Sequence, residues 1–353
     1  MPKVAVIGTT AWGMTLGVVL AHKGLDVRLW ARTEEEAERL RKKGPDSRQM
    51  QGVTFPPQIS ITSSAKEALS RATAVILAVP SQTMRQNIVS IRDHLRESML
   101  IISAAKGLEI GSNKRMTQVI TDEIPPEFHA NICVLSGPNL FKEVLLDLPA
   151  SAVVAAEDNT VAKRAQRLLS APNFNVYTNN DVIGVELGGA LKNVIALGAG
   201  MVDGLGYGDN AKAAFVTRGL TEMAALGVAL GASPLTLSGL SGLGDLIATC
   251  ASPLSRNHYV GVELTKGRSL KEITSSMAGV AEGVATAAAV WDVAQKLQLE
   301  MPITERIYQT LYNGADARCM ITELLGTRGR HELAGRKWRL FSLFRRKRSR
   351  SEV

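Results

Sequence analysis

The sequence predicts two domains: an α/β domain with a parallel sheet at the N-terminus, then an all-α domain. Three observations carry this. The first 180 or so residues alternate short runs of Val, Ile and Leu with helical patterns, as βαβ units do. After Asp181 strand-like runs give way to helical spacing broken by Gly and Ser. And 353 residues exceed what one ordinary core holds. The expected division is residues 1–180, 181–330 and a basic tail over 331–353.

Taken in order, the strands are "KVAVIG" (3–8), "DVRLWAR" (26–32), "AVILAVP" (74–80), "LIISAAKG" (100–107) and "ICVLSGP" (132–138). Their apolar residues are continuous rather than alternating, as expected when helices cover both faces of a parallel sheet. "SAVVAAE" (151–157) and "NVYTN" (175–179) extend that sheet, with a helix near 160–170 between them. Thr33 with Glu36 and Ser64 with Glu67 have capping-box spacing, and Gly44 ends the helical run "EEEAERLRKK". In the second domain "LKEITSSMAGVAEGVATAAAVWDVAQKLQ" (270–298) reads as two helices, the first boxed by Ser269 and Glu272.

Bulk properties exclude several classes. Hydrophobic residues at 45% and charged residues at 21% describe a globular chain rather than a disordered one. No uninterrupted apolar run approaches the roughly 20 residues that span a bilayer. The start, "MPKVAVIG", runs directly into a strand, so no signal peptide is expected. Cys133, Cys250 and Cys319 are odd in number and far apart, which suggests a reducing cytoplasm and no metal site. The net charge of +8 points away from nucleic acid on inspection. Residues 336–353 hold eight Lys or Arg against Glu352, so the tail carries +7 and the body is nearly neutral.

"VAVIGTTAWGMTLG" (4–17) joins the first strand to a helix. Gly8 and Gly13 fit the dinucleotide fingerprint, in which glycines let backbone N–H groups approach a pyrophosphate. Thr10 occupies the middle glycine position. The N-terminal domain therefore reads as a Rossmann-type dinucleotide-binding domain. Arg32, near the end of the second strand, stands where a carboxylate would bind the NAD ribose; a guanidinium suits the 2′-phosphate of NADPH. Its plainer reading is a solvated arginine, with NADH used equally well. Lys106 in "SAAKGLE" (103–109) and the stretch "LSGPNLFKE" (135–143) lie at strand carboxyl ends, where open α/β sheets place ligands. Lysine–glycine there is equally explained as a turn. "ELGGALKNVIALGAG" (186–200) sets Lys192 inside a glycine-dense apolar helix, where it must reach solvent, find a partner or lose proton affinity. Asp245 follows the glycine run of "SGLSGLGDLIATC" (238–250), as a helix-capping carboxylate would. Ser255, Arg256 and Asn257 make a phosphate-binding set or an ordinary surface loop.

With these on view, "KNVIALGAGMVDGLGYGDNAKAAFVTRGLTEM" (192–223), "GLGDLIATC", "SRN" and "MPITERIYQTLY" (301–312) closely resemble the bacterial NAD(P)-dependent glycerol-3-phosphate dehydrogenase family. The resemblance runs from Met1 to about Arg328. It implies reduction of dihydroxyacetone phosphate to sn-glycerol 3-phosphate with NADPH or NADH. Lys192 matches the general acid/base of that family. The pattern implies that Lys106, Gly137, Asn139, Asp245, Ser255, Arg256 and Asn257 surround substrate. It implies that Ala11, Trp12, Arg32, Lys106, Phe141, Arg256, Val280 and Glu282, with Gly8 and Gly13, meet the cofactor. Thr10, Ala11 and Phe141 depart from the usual residues. Gly188 and Gly189 would let cofactor or substrate come close to Lys192. No metal is required, since an ammonium can stabilise the alkoxide.

The tail "RKWRLFSLFRRKRSRSEV" (336–353) lies outside the resemblance. It reads as a disordered extension, or as a weak contact for an anionic membrane. A homodimer is left open. Two other functions compete: a related two-domain dehydrogenase of hydroxyacids, and a noncatalytic NAD(P)-binding redox sensor.

Overall fold

The computed structural model describes residues 3–45, 50, 53–277 and 279–326. The predicted tail lies outside the described residues. In the N-terminal half, β1 (Lys3–Ile7), β2 (Asp26–Trp30), β3 (Ile59–Thr62), β4 (Ala74–Leu77), β5 (Leu100–Ser103) and β6 (Ile132–Ser136) are followed by β7 (Ala150–Ala155) and β8 (Phe174–Asn179). Between them lie α1 (Ala11–His22), α2 (Glu34–Lys43), α3 (Ala65–Leu69), α4 (Met84–Ile91), α5 (Met116–Glu123), α6 (Phe141–Leu145) and α7 (Asn159–Leu169). The eight strands form one sheet in the order β3-β2-β1-β4-β5-β6-β7-β8. Chain direction across the sheet reverses its order beside β1, so the crevice between the ends of β1 and β4 is the topological switch point.

Strand residues alternate between two cores. Val4, Val6 and Ile76 pack with α1 and α7 residues such as Leu20 and Ala165. Ala5, Ile7 and Val75 pack on the other face with Leu69, Ile88 and Ile120 of α3, α4 and α5. That two-sided burial explains the continuous apolar runs. The sheet departs from an all-parallel arrangement at one place: β7 runs antiparallel to β6, and β8 then runs parallel to β7. The β6–β7 connection holds only the five-residue α6 instead of a full crossover helix. β3 was not expected; it is a four-residue edge strand paired with β2. The strands also stop earlier than their apolar runs, β4 at Leu77 and β5 at Ser103, which leaves 78–80 and 104–107 as exit loops.

The expected capping boxes are half made. Thr33 and Ser64 accept from the Glu36 and Glu67 amides. The glutamates turn elsewhere: the Thr9 hydroxyl donates to Glu36 and the Thr62 hydroxyl to Glu67. The box at Ser269 and Glu272 is complete.

The second half contains α8 (Val182–Gly204), α9 (Gly208–Ala229), α10 (Pro234–Leu237), α11 (Asp245–Ala251), α12 (Arg256–Thr265), α13 (Leu270–Ser276), α14 (Glu282–Lys296), α15 (Pro302–Tyr312) and α16 (Ala317–Leu325). One π-helical turn, Leu240–Gly244, precedes α11. Helix α8 is the axis of this half, buried on every side from Gly184 to Val202. A helix apolar all round needs such cover. By length and composition α8 is the one described helix that could cross a membrane, but 89% of its apolar window is buried inside the protein. Its glycines admit neighbours: a Cβ on Gly200 would lie 2.0 Å from the His258 carbonyl of α12.

Candidate active site

A cleft of about 290 Å³ opens where the carboxyl ends of β1, β4, β5 and β6 meet α8, α11, α12 and the start of α14. Each side chain in it is held by a local feature. At the β1–α1 turn Gly8 has φ +108°, and a Cβ would approach the Ala78 carbonyl oxygen to 2.9 Å. Glycine is needed there on both counts. Thr10, at the middle fingerprint position, has φ −69° and caps α1. Its hydroxyl accepts from the Gly13 amide at 3.1 Å and donates to the Ala78 carbonyl at 2.7 Å. Gly13 is required because a Cβ would meet the Gly8 oxygen at 2.5 Å. The helix geometry leaves the Ala11 and Trp12 amides without intrahelical acceptors at the cleft wall. That is the anion-binding end of a helix.

Two lysines converge on one carboxylate. Asp245, the first residue of α11, offers Oδ1 to the Lys192 Nζ at 2.6 Å and Oδ2 to the Lys106 Nζ at 2.7 Å. Lys192 also donates to the Thr249 hydroxyl at 2.6 Å, and Thr249 donates onward to the Asp245 carbonyl. Lys106 donates to the Gly137 carbonyl at 2.8 Å. An ammonium has three donors, so Lys192 keeps one for the cleft it lines. Burial lowers the Lys192 pKa to about 8; the Lys106 charge adds to that shift and the Asp245 carboxylate opposes it.

Around this centre Asn193, next to Lys192, accepts at Oδ1 from the Asn257 amide at 2.8 Å. Asn257 in turn accepts from the Gly283 amide at 2.9 Å. Ser255 caps α12 by accepting from the His258 amide. Arg256 is exposed and reaches the cleft beside Val280 and Glu282. Glu282 accepts from both the amide and the hydroxyl of Ser81, at the exit of β4. Burial raises its pKa, against the Ser81 hydrogen bonds. Among the buried polar atoms lacking a partner are Trp12 Nε1 and Asn139 Oδ1, both on cleft-lining residues. A donor and an acceptor left open there, together with the α1 terminus, fit a polar dinucleotide.

The description "NAD-dependent glycerol-3-phosphate dehydrogenase N-terminus" matches residues 3–162, and its C-terminal counterpart matches residues 181–322. The chain belongs to the NAD-dependent glycerol-3-phosphate dehydrogenase family. It is 59% identical over 351 residues to glycerol-3-phosphate dehydrogenase [NAD(P)+] of Dehalococcoides mccartyi, covering 99% of this chain and 98% of that protein. The protein of the same name from Geobacter sulfurreducens is 45% identical, over 92% of this chain and 96% of its own. A crystal structure of glycerol-3-phosphate dehydrogenase from Coxiella burnetii superposes with a TM-score of 0.88 at 34% identity, covering 92% of this chain and 99% of that one.

In this member of the glycerol-3-phosphate dehydrogenase family the cleft brings together Ala11, Trp12, Lys106, Asn139, Phe141, Lys192, Ser255, Arg256, Asn257, Val280 and Glu282. Gly8, Gly13, Gly137 and Asp245 stand just behind its wall and shape it through the contacts above. Arg32 is exposed two residues beyond β2. Gly188 and Gly189 do not make room for a ligand. A Cβ on Gly188 would lie 2.6 Å from the Ser241 oxygen, and one on Gly189 would lie 2.4 Å from the Ser136 hydroxyl. Protein fills both places. Sequence reading missed Thr249, Asn193 and Ser81. Thr249 is one helical turn from Asp245 and so shares its face; Ser81 directly follows the exit loop of a buried strand.

Proposed function

We infer that the chain catalyses NAD(P)H-dependent reduction of dihydroxyacetone phosphate to sn-glycerol 3-phosphate, a reversible hydride transfer supplying glycerophospholipid synthesis. The observation that carries the chemistry is the buried Lys192 ammonium, fastened by Asp245 and Thr249 with one donor left for the cleft. In this reading residues 1–180 supply most of the cofactor's site, and residues 181–330 supply the proton source and most of the substrate's. The Ala11 and Trp12 amides at the α1 terminus would bind the pyrophosphate, and Arg32 a 2′-phosphate. Phe141, Val280 and Glu282 would line the remainder of the cofactor's site. When bound, the reduced nicotinamide supplies the hydride for the C2 carbonyl carbon.

As that carbon becomes tetrahedral, its oxygen gains the electron pair of the former π bond. Lys192 stabilises the charge and donates a proton to that oxygen, leaving a neutral amine. In the reverse direction the amine takes the proton back. Asp245 keeps Lys192 and Lys106 side by side, so that Lys106 adds a second positive charge near the same oxygen. The Arg256 guanidinium on the cleft wall supports an assignment to the phosphate, with Asn139, Ser255 and Asn257 beside it. The test is consumption of NADPH, followed by absorbance, when dihydroxyacetone phosphate is added. A folded protein that binds NADPH yet never turns over would instead be a sensor.

The same reading puts the enzyme in the cytoplasm. Cys133 and Cys250 are buried free thiols and Cys319 is an exposed one, as suits a reducing compartment. A homodimer is proposed with it, and sedimentation velocity decides between one and two chain masses. A weak anionic-membrane contact through residues 336–353 is proposed from their composition alone; cosedimentation with anionic vesicles, with and without that segment, tests it.

A further inference from the structure

Lys106 lies near the start of the loop, 104–115, that runs from the end of β5 to α5. Its backbone carbonyl receives a long 3.4 Å bond from Asn193 Nδ2. Beyond it, the loop lies flush against the exit of β4: a Cβ on Gly107 would meet the Ser81 hydroxyl at 2.5 Å. One side chain from that exit holds the loop backbone. Gln82 Nε2 donates to the Leu108 carbonyl at 2.7 Å, and Gln82 Oε1 accepts from the Ile110 amide at 3.0 Å. Nε2 also lies 3.1 Å from the Ser81 hydroxyl, which is itself bound to Glu282 of α14. Farther along, Arg85 grips the Glu109 carboxylate with two bonds, at 2.9 and 2.8 Å. Glu109 sits between the two residues that Gln82 holds, so Arg85 fastens this stretch through a side chain and Gln82 through its backbone.

We propose that Gln82 is a positioning residue for the reaction: by pairing with Leu108 and Ile110 it fixes Lys106 against the Asp245 carboxylate that Lys106 shares with Lys192. The proposal rests on the functional reading above. Gln82 does not line the cleft and does not touch the shared carboxylate. It reaches Lys106 through the loop, and its further contact with the Ser81 hydroxyl leaves both Ser81–Glu282 bonds to Ser81's own amide and hydroxyl. The charged and titratable groups facing Lys192 are Asp245 and Cys250 from α11 and Lys106 from this loop. Farther along α8, Asp203 bonds both His258 of α12 and Lys212 of α9, and Glu282 of α14 is bonded to Ser81. Arg256 of α12 also lines the cleft, and among these charges Lys106 is the one carried by the loop that Gln82 holds. Drawing it away removes a repulsion from Lys192 and leaves Asp245 to Lys192 alone. Lys192 then holds its proton to higher pH.

The test is the pH profile of kcat/KM for dihydroxyacetone phosphate in wild type, Gln82→Met, Lys106→Met and the double variant. Methionine keeps the length of glutamine and removes both polar atoms. Gln82→Met should lower kcat/KM about tenfold, as loss of a net hydrogen bond's worth of order does. It should also move the alkaline limb upward and leave NADPH binding within about twofold, measured by calorimetry. In the Lys106→Met background the same change should cost almost nothing, because the residue through which Gln82 acts is gone. A wild-type profile in Gln82→Met, or an undiminished cost in that background, overturns the proposal while the functional reading stands. A wild-type enzyme inert toward dihydroxyacetone phosphate overturns both. Should the methionine variant not fold, Gln82→Asn, an amide one methylene too short, carries the same test.

Discussion

Lys192 and Asp245, 53 residues apart in the chain, meet at 2.6 Å with Lys192 only 7% and Asp245 only 1% exposed. Lys106 takes the other oxygen of the same carboxylate. Three buried or half-buried charges therefore sum to one positive charge facing the cleft. An isolated buried ammonium would lose its proton, and a fully neutralised one would hold it too firmly to give up at neutral pH. Sharing one carboxylate between two lysines sets Lys192 between these limits.

The pH dependence follows from that arrangement. Reduction needs the Lys192 ammonium, so kcat/KM for dihydroxyacetone phosphate should fall as pH rises through about 8. Oxidation of glycerol 3-phosphate needs the neutral amine, so its kcat/KM should rise across the same interval. Initial rates in both directions from pH 6 to 10 would check this, since kcat/KM reports the free enzyme. Two limbs that move in the same direction would remove Lys192 from the proton transfer.

Lys192→Met should cut kcat about 10³-fold, within the 10²–10⁴ range of general acid catalysis. NADPH affinity should hardly change, because the α1 terminus and its cap at Thr10 lie on another element. The variant should also stay folded, since Asp245 retains Lys106 as a partner. Steady-state rates, calorimetric NADPH titration and a thermal melt together separate a lost proton donor from a lost fold.

Much of this centre was legible because its residues look out of place in their surroundings. A lysine in an apolar helix poses a burial problem, and the structure solves it with Asp245, which was read as a helix cap but instead pairs with Lys192 and Lys106. What stayed hidden looks ordinary. Ser81 and Gln82 lie just past the expected strand 74–80, and their roles depend on partners distant in the chain, Glu282 for Ser81 and Leu108 for Gln82. The glycines at 188 and 189 were read as space for a ligand; only the packing shows Ser241 and Ser136 occupying it. The direction of β7 was equally silent, because "SAVVAA" has the same apolar pattern whichever way it runs. β3 escaped notice since its four residues sit at a sheet edge with only Thr62 buried.

Thr10 is where sequence and structure make opposite forecasts. By the fingerprint, Thr10→Gly should improve cofactor binding. In the structure the threonine needs no glycine conformation, and its hydroxyl ties the α1 cap to the Ala78 carbonyl. Thr10→Gly should therefore lower stability by about 1–2 kcal/mol, through a lost hydrogen bond and a freer unfolded chain. NADPH affinity should not increase. Chemical denaturation and an NADPH titration of the same preparation would show which forecast holds.

The contact between α8 and α12 offers the sharpest structural forecast. A Cβ on Gly261 would lie 2.0 Å from the Leu197 carbonyl, and one on Gly200 would lie 2.0 Å from the His258 carbonyl. Each helix thus presses its backbone into a glycine of the other. Replacing either glycine with alanine gains up to about 1 kcal/mol of helix propensity. Against that, backbone at 2.0 Å cannot yield as a flexible side chain would, and the helices must separate. Overpacking of this kind costs about 1–3 kcal/mol or more, so Gly261→Ala should be destabilised on balance. Because Arg256 and Asn257 begin α12, any separation also displaces the residues assigned to the phosphate. KM for dihydroxyacetone phosphate should then rise more than KM for NADPH. Equal stability and equal KM values in Gly261→Ala would mean that the two helices are not held at this spacing.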